Sequence, residues 1–157
     1  APLSRESGLH REDLGRAHDT LRLRRALGRH EGPARIALLC DVAVKHSASI
    51  ALRTLAEEAE ETALRGLADA LVVTGPGTGR GADLRDVEEV RGAAPLPLFI
   101  GSGVTHDSVA EMMAPRPAGQ VHGIIVGSCL RRSGRAGDRI DADRARAFAD
   151  AFWATKG

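Results

Sequence analysis

Four short apolar runs begin near residues 36, 70, 97 and 122 and are separated, start to start, by roughly 25 to 34 residues. That interval holds one strand, one helix and two loops, so the chain reads as a βα repeat with a parallel sheet and helices over it. Runs this short and this apolar, bounded by turn residues, are the pattern of strands buried on both faces. The run at 96–100 stops abruptly in Gly101-Ser102-Gly103, and the run at 121–126 stops in Gly127-Ser128. Two strands that both end in Gly-Ser suggest an anion site, because glycine lets backbone N–H groups approach a ligand closely.

The segments between the runs supply the helices. Residues 1–11 form an irregular lead, and 12–157 form one domain opened by a helix over 12–27, with Leu14, Ala17 and Leu21 on one face and Gly28 at its end. A second helix is expected over 49–65, with Leu52, Leu55, Ala56, Ala59 and Ala63 inward and Gly66 as its stop. Asp83 is placed to cap a helix carrying Leu84, Val87 and Val90. Thr105 is placed to cap one carrying Val109, Met112 and Met113. Asp141 opens the last, whose stripe is Ala145, Phe148, Ala149 and Phe152. The fold class is therefore α/β with about four strands and five helices. Either an open doubly wound sheet or part of an eight-stranded barrel fits it, although four strands cannot close a barrel.

Charge and composition narrow the function. A net charge of +1 argues against nucleic acid as a partner, and three Phe, one Trp and no Tyr leave little on which bases could stack. The basic residues Arg16, Arg22, Arg24, Arg25 and Arg29 read as a solvated helix face, as do Glu57, Glu58, Glu60 and Glu61. No apolar stretch is long enough to span a membrane, so no integral membrane segment is expected. Cys40 and Cys129 are expected buried and reduced, which fits a cytoplasmic protein, with a disulfide left open as the alternative. The histidines His10, His18, His30, His106 and His122 show no ligand spacing, so no metal is expected, and no cofactor either.

In either parallel architecture chemistry belongs at the C-terminal strand ends. Lys45, His46, Thr74, Gly101, Ser102, Gly127 and Ser128 all fall there. Asp41, inside the first run, is costly unless paired or used in chemistry. The glycine-rich loop from Gly75 to Gly81 follows the second run. It lacks the Gly-Lys-Ser/Thr ending of a phosphate-binding P-loop, and its glycine spacing is not the dinucleotide fingerprint.

Four stretches in order, Asp41-Val42-Ala43-Val44-Lys45-His46, residues 66–75, Gly101-Ser102-Gly103-Val104-Thr105 and Ile125-Val126-Gly127-Ser128, resemble the signature stretches of the BtpA family, which includes SgcQ. Residues 15–24 resemble that family as well. The resemblance implies a TIM-type (βα)8 barrel of the ribulose-phosphate-binding kind, of which this chain holds the C-terminal half, strands five to eight. The first half would then stand elsewhere, or two copies would pair as a homo-oligomer. The resemblance also implies either a sugar-phosphate or nucleotide enzyme, or a non-catalytic biogenesis factor of the photosystem I type, with peripheral membrane association in the second case. An inactive fragment is the third reading.

For the enzyme reading, Gly101, Ser102, Gly103, Gly127 and Ser128 would hold the phosphate of a small molecule. Thr74 and Gly75 would contact the rest of the substrate. Lys45 and His46 would act as electrophile or acid/base, with Asp41 adjusting their charge.

Overall fold

The computed structural model describes residues 17–42, 53–75, 81–135 and 137–156. Four strands, β1 (Leu39–Val42), β2 (Ala70–Val73), β3 (Leu98–Ile100) and β4 (Gly123–Ile124), form one sheet in sequence order, every pair parallel. Helices alternate with them: α1 (Ala17–Ala26), α2 (Leu55–Leu64), α3 (Leu84–Ala93), α4 (Val109–Met113) and α5 (Ala142–Ala154). This is an α/β fold consistent with half of a TIM-type barrel.

One face of the sheet carries the core. Val42, Leu71, Val73, Leu98 and Ile100 are buried against Ala59 of α2, Val87 and Val90 of α3, Val109, Met112 and Met113 of α4 and Phe148 of α5. The expected inward residues of the last three helices thus fall where their spacing put them. Burying side chains of this size stabilises by about 1.5–3 kcal/mol each, so this face dominates the stability of the fold.

The described residues cover the other face only in part, so the expectation of strands buried on both faces holds in the middle of the sheet and fails at its edges. At the two edges Leu39 is 48% exposed and Ile125, just beyond β4, is 47% exposed. Asp41 is exposed and Phe99 half-buried on the same face, whereas Ala70 and Val72 in the middle are buried. Strand alternation sends every second residue to this side, and four strands do not curl far enough to bury it themselves.

The helix boundaries show which capping signals act. Thr54 and Glu57 form a reciprocal capping box at the start of α2, so that helix begins at Leu55 rather than near Ser49, although 43–52 lie outside the described residues. The backbone hydrogen bond from Thr54 holds the Glu57 carboxyl below its ordinary range. Asp83 and Asp141 cap α3 and α5 as expected. At α4 the N-cap position falls to Ser108 instead of Thr105, whose carbonyl accepts the N–H groups of Ser108 and Val109 in the turn before the helix. Only residues from 17 onward of the 12–27 helix are described. Gly28 follows it at φ +63, a left-handed position glycine adopts without strain. Of the expected apolar stripe of that helix Leu21 is half-buried, and Leu23 and Leu27, which flank the stripe, are exposed.

What fixes α1 is polar. The Asp69 carboxylate, just before β2, receives Arg24 of α1 at 2.9 Å, Arg35 at 2.9 Å and the Leu38 backbone N–H at 2.8 Å. Arg24 reaches the Ile36 carbonyl at 3.2 Å as well. The latch sits at the N-terminal ends of the strands, the face that carries stability rather than chemistry in parallel α/β folds.

At the same end the Leu98 N–H donates to Nδ1 of His122 at 3.2 Å, doing with a side chain what a longer β4 would do with its backbone. Burial, and after it the Arg91 and Lys156 cations, hold this imidazole below the usual histidine range. Its neutral form is therefore the one the fold favours. The stability it contributes is complete above the unfolded value of about 6.5 and is lost as pH falls through the lower folded value. Thermal melts across pH 5 to 8 should show a decline on the acid side that is weaker in His122→Gln. An identical pH dependence in the two proteins would remove His122 from the acid response.

Candidate functional site at the strand C-terminal ends

The strands are in register, so residues at their C-terminal ends stand opposite one another. Asp41 is paired in register with Val72, Val72 with Phe99, and Phe99 with Gly123, so these four form one rank on the face opposite the core. One step further along, Thr74 follows β2 and Gly101 follows β3. The Thr74 hydroxyl donates to Oδ1 of Asp41 at 2.5 Å, a short hydrogen bond to a carboxylate. Asp41 is thus not an acid buried in an apolar strand. Its cost is met by exposure and by the Thr74 hydroxyl.

Glycine is needed where these side chains cross the sheet. A Cβ on Gly101 would stand 2.6 Å from Val72 Cγ1 and 2.7 Å from Thr74 Oγ1. A Cβ on Gly123 would stand 2.6 Å from Cε1 of Phe99, so the ring occupies the space the glycine leaves. The Gly101 N–H donates to the Val73 carbonyl at 2.8 Å and is committed to the ladder. Its part in the site is therefore the space it leaves rather than a donor for phosphate.

The remaining members of the expected anion grip follow the adjacent strands β3 and β4. Gly103 has φ +78, a left-handed position glycine adopts without strain, and its carbonyl lies 3.7 Å from a Cβ placed on Gly81. Ile125 donates to Ile100 at 2.8 Å, which carries β4 alongside β3 to the point where Gly127 and Ser128 follow. Among the described residues the N–H groups of Gly103, Gly127 and Ser128 are committed to no backbone carbonyl. Gly127 is exposed with open space around it, and Ser128 and Ser102 are half-buried. Gly75 is buried behind Thr74. Lys45 and His46 lie outside the described residues.

The structure therefore brings Asp41, Thr74 and Gly101 together, and places Ser102, Gly103, Gly127 and Ser128 on the two neighbouring strand ends. A hydroxyl and a carboxylate thus stand beside Gly101, and the two Gly-Ser segments follow the neighbouring strands β3 and β4. Phe99 is the lining residue that sequence reasoning did not single out. Its signal was present in Gly123, because a glycine inside a strand marks the close approach of another group. Among the described residues no cluster of His, Cys, Asp and Glu could hold a metal ion, and no helix is long and apolar enough to cross a membrane.

Comparison with known proteins extends the match across the whole of this region. The model of the BtpA family matches residues 8–153. The photosystem I biogenesis protein BtpA of Synechocystis is 36% identical over 139 residues, which are 88% of this chain and 45% of that protein. An uncharacterized protein of Thermococcus kodakarensis is 33% identical over 84% of this chain and 46% of its own length. An uncharacterized mitochondrial protein of Caenorhabditis elegans is 32% identical over 72% of this chain and 39% of its own. The chain thus spans a little under half the length of these relatives.

Proposed function

This chain belongs to the BtpA family, and from that premise we propose that its strand ends hold a phosphorylated small molecule, a sugar phosphate or a nucleotide. The observation that carries the reading is the Asp41–Thr74 pair, exposed beside Gly101 and flanked by two Gly-Ser strand ends. An anionic carboxylate repels phosphate but accepts hydrogen bonds from sugar hydroxyls, so the two halves of such a ligand sort themselves. The phosphate goes to the N–H groups of Gly103, Gly127 and Ser128 with the Ser102 and Ser128 hydroxyls, and the hydroxylated body goes to Asp41 and Thr74. In the enzyme reading, Lys45 and His46, just beyond β1, act on the body as electrophile or acid/base.

The exposed Leu39 and Ile125 and the outer edges of β1 and β4, which pair with nothing further among the described residues, call for a second half-barrel, supplied by the remainder of a chain of the relatives' length or by a second copy. A second reading, a non-catalytic assembly factor, is favoured by the name of the cyanobacterial relative.

Calorimetric titration with ribose 5-phosphate and with inorganic phosphate tests the site. Ribose 5-phosphate should bind more tightly than phosphate, and Thr74→Val should remove that advantage while leaving phosphate affinity unchanged. Ser128→Ala should weaken both ligands by about tenfold, the worth of one charge-assisted hydrogen bond. Absence of binding heat for both ligands, alongside an intact melting transition, would overturn the phosphate site and leave the assembly reading.

A further inference from the structure

A second concavity lies apart from the face opposite the core, between the segment after β3, the 3-10 helix Ser128–Leu130 after β4 and the first turns of α5. Its volume is about 330 Å³ and it is lined by His106, Cys129, Arg144, Ala147 and Phe148. That volume is at the small end of the range of small-molecule sites, ~300–1,000 Å³. Cys129 and Phe148 pack into the hydrophobic core, so the floor is apolar and anchored. The cation on the wall is chemically uncommitted. Arg132 pairs with Asp141 and Arg146 with Asp143, whereas among the described residues Arg144 meets no carboxylate and gives one Nη1 hydrogen to the Arg131 carbonyl at 3.3 Å. The exposed His106 ring, paired with Asp107, also lines the cavity.

We propose that this cavity is a binding site for a small organic carboxylate with a flat apolar body, the body lying on Phe148, Ala147 and Cys129 and the carboxylate meeting Arg144. The guanidinium presents a planar fork that matches a carboxylate, and next to an apolar wall that pairing is less screened than on open surface. A wholly apolar ligand would leave the guanidinium unmatched, and a bare inorganic anion would leave the floor wet. The site uses none of the residues assigned to the phosphate grip, so it stands or falls separately.

Benzoate is a suitable probe, because the two cysteines supply a signal and its internal reference. Both are free, half-buried thiols; Cys129 lines the cavity and Cys40 lies on β1. Alkylation by iodoacetamide, followed by mass analysis of each peptide, should show benzoate slowing Cys129 and leaving Cys40 unchanged. Benzamide, the neutral analogue, should need about tenfold higher concentration for the same protection. Arg144→Gln should reduce benzoate to the level of benzamide. Ala147→Phe, at an exposed helix position that can take a larger side chain, should abolish protection by filling the space. Equal protection by benzoate and benzamide, no selective protection of Cys129, or protection by inorganic phosphate matching that of benzoate would each overturn the assignment.

Discussion

Asp69→Ala is expected to lower the stability of the fold by about 3 kcal/mol, the low end of what removing one partner from a buried ion pair typically does. Its side chain is 14% exposed and Arg24 is 10% exposed, so the guanidinium left behind cannot simply rehydrate in place. Among the described residues Arg24 would keep the Ile36 carbonyl at 3.2 Å, and its Nε is buried with no partner there. The Leu38 N–H would lose its carboxylate acceptor at the same time. Arg35 is 48% exposed and matters less, because a screened surface pair contributes about 0–1 kcal/mol. The order of effects should therefore be Asp69→Ala, then Arg24→Ala, then Arg35→Ala. Urea denaturation measures all three, and a loss below about 1 kcal/mol for Asp69→Ala would show that α1 contributes little to the cooperative unit. A domain of this size has only about 5–15 kcal/mol in total, so the expected loss is a large fraction of it.

The latch also marks where sequence reasoning stops. The strand starts, the βα order and the caps at Asp83 and Asp141 are legible because they rest on local rules: apolar runs, turn residues and a carboxylate before a helix. The capping box at Thr54 and Glu57 is equally local, and its Thr-x-x-Glu spacing is enough to place the start of α2. Asp69 is different. An aspartate between two alanines looks like any loop residue, and its three partners come from positions 24, 35 and 38, which only the fold brings together. The same holds for the sheet. Alternation tells which residues share a face but not whether anything covers it, and so Asp41 reads as buried until the exposed side of β1 is seen.

The candidate site follows the same division. Gly101, Ser102, Gly103, Gly127 and Ser128 are found from strand-end glycines alone, and the structure sets them on neighbouring strands. That the Gly101 N–H is taken by Val73, and that Phe99 lies over Gly123, depends on register and on the direction of each side chain. Neither is encoded in spacing.

Gly101→Ala is expected to damage the site more than any other single methyl added to the strand ends. The new Cβ would fall 2.7 Å from Thr74 Oγ1 and 2.6 Å from Val72 Cγ1. Val72 is buried and flanked by neighbouring strands, so the Thr74 side chain is the easier one to move. Turning it breaks the 2.5 Å hydrogen bond to Asp41 and redirects the hydroxyl from the site. The stability loss should be about 1–3 kcal/mol, as for other overpacked positions, and ribose 5-phosphate should lose its advantage over inorganic phosphate in calorimetry. Gly127→Ala provides the contrast: no atom lies within 4 Å of the added Cβ, so its melting temperature should fall less than that of Gly101→Ala. Double substitution Gly101→Ala with Thr74→Ser should recover part of the stability, because serine lacks the methyl group that limits how the hydroxyl can turn. No recovery in the double variant would shift the clash to Val72 and detach Thr74 from the effect of Gly101.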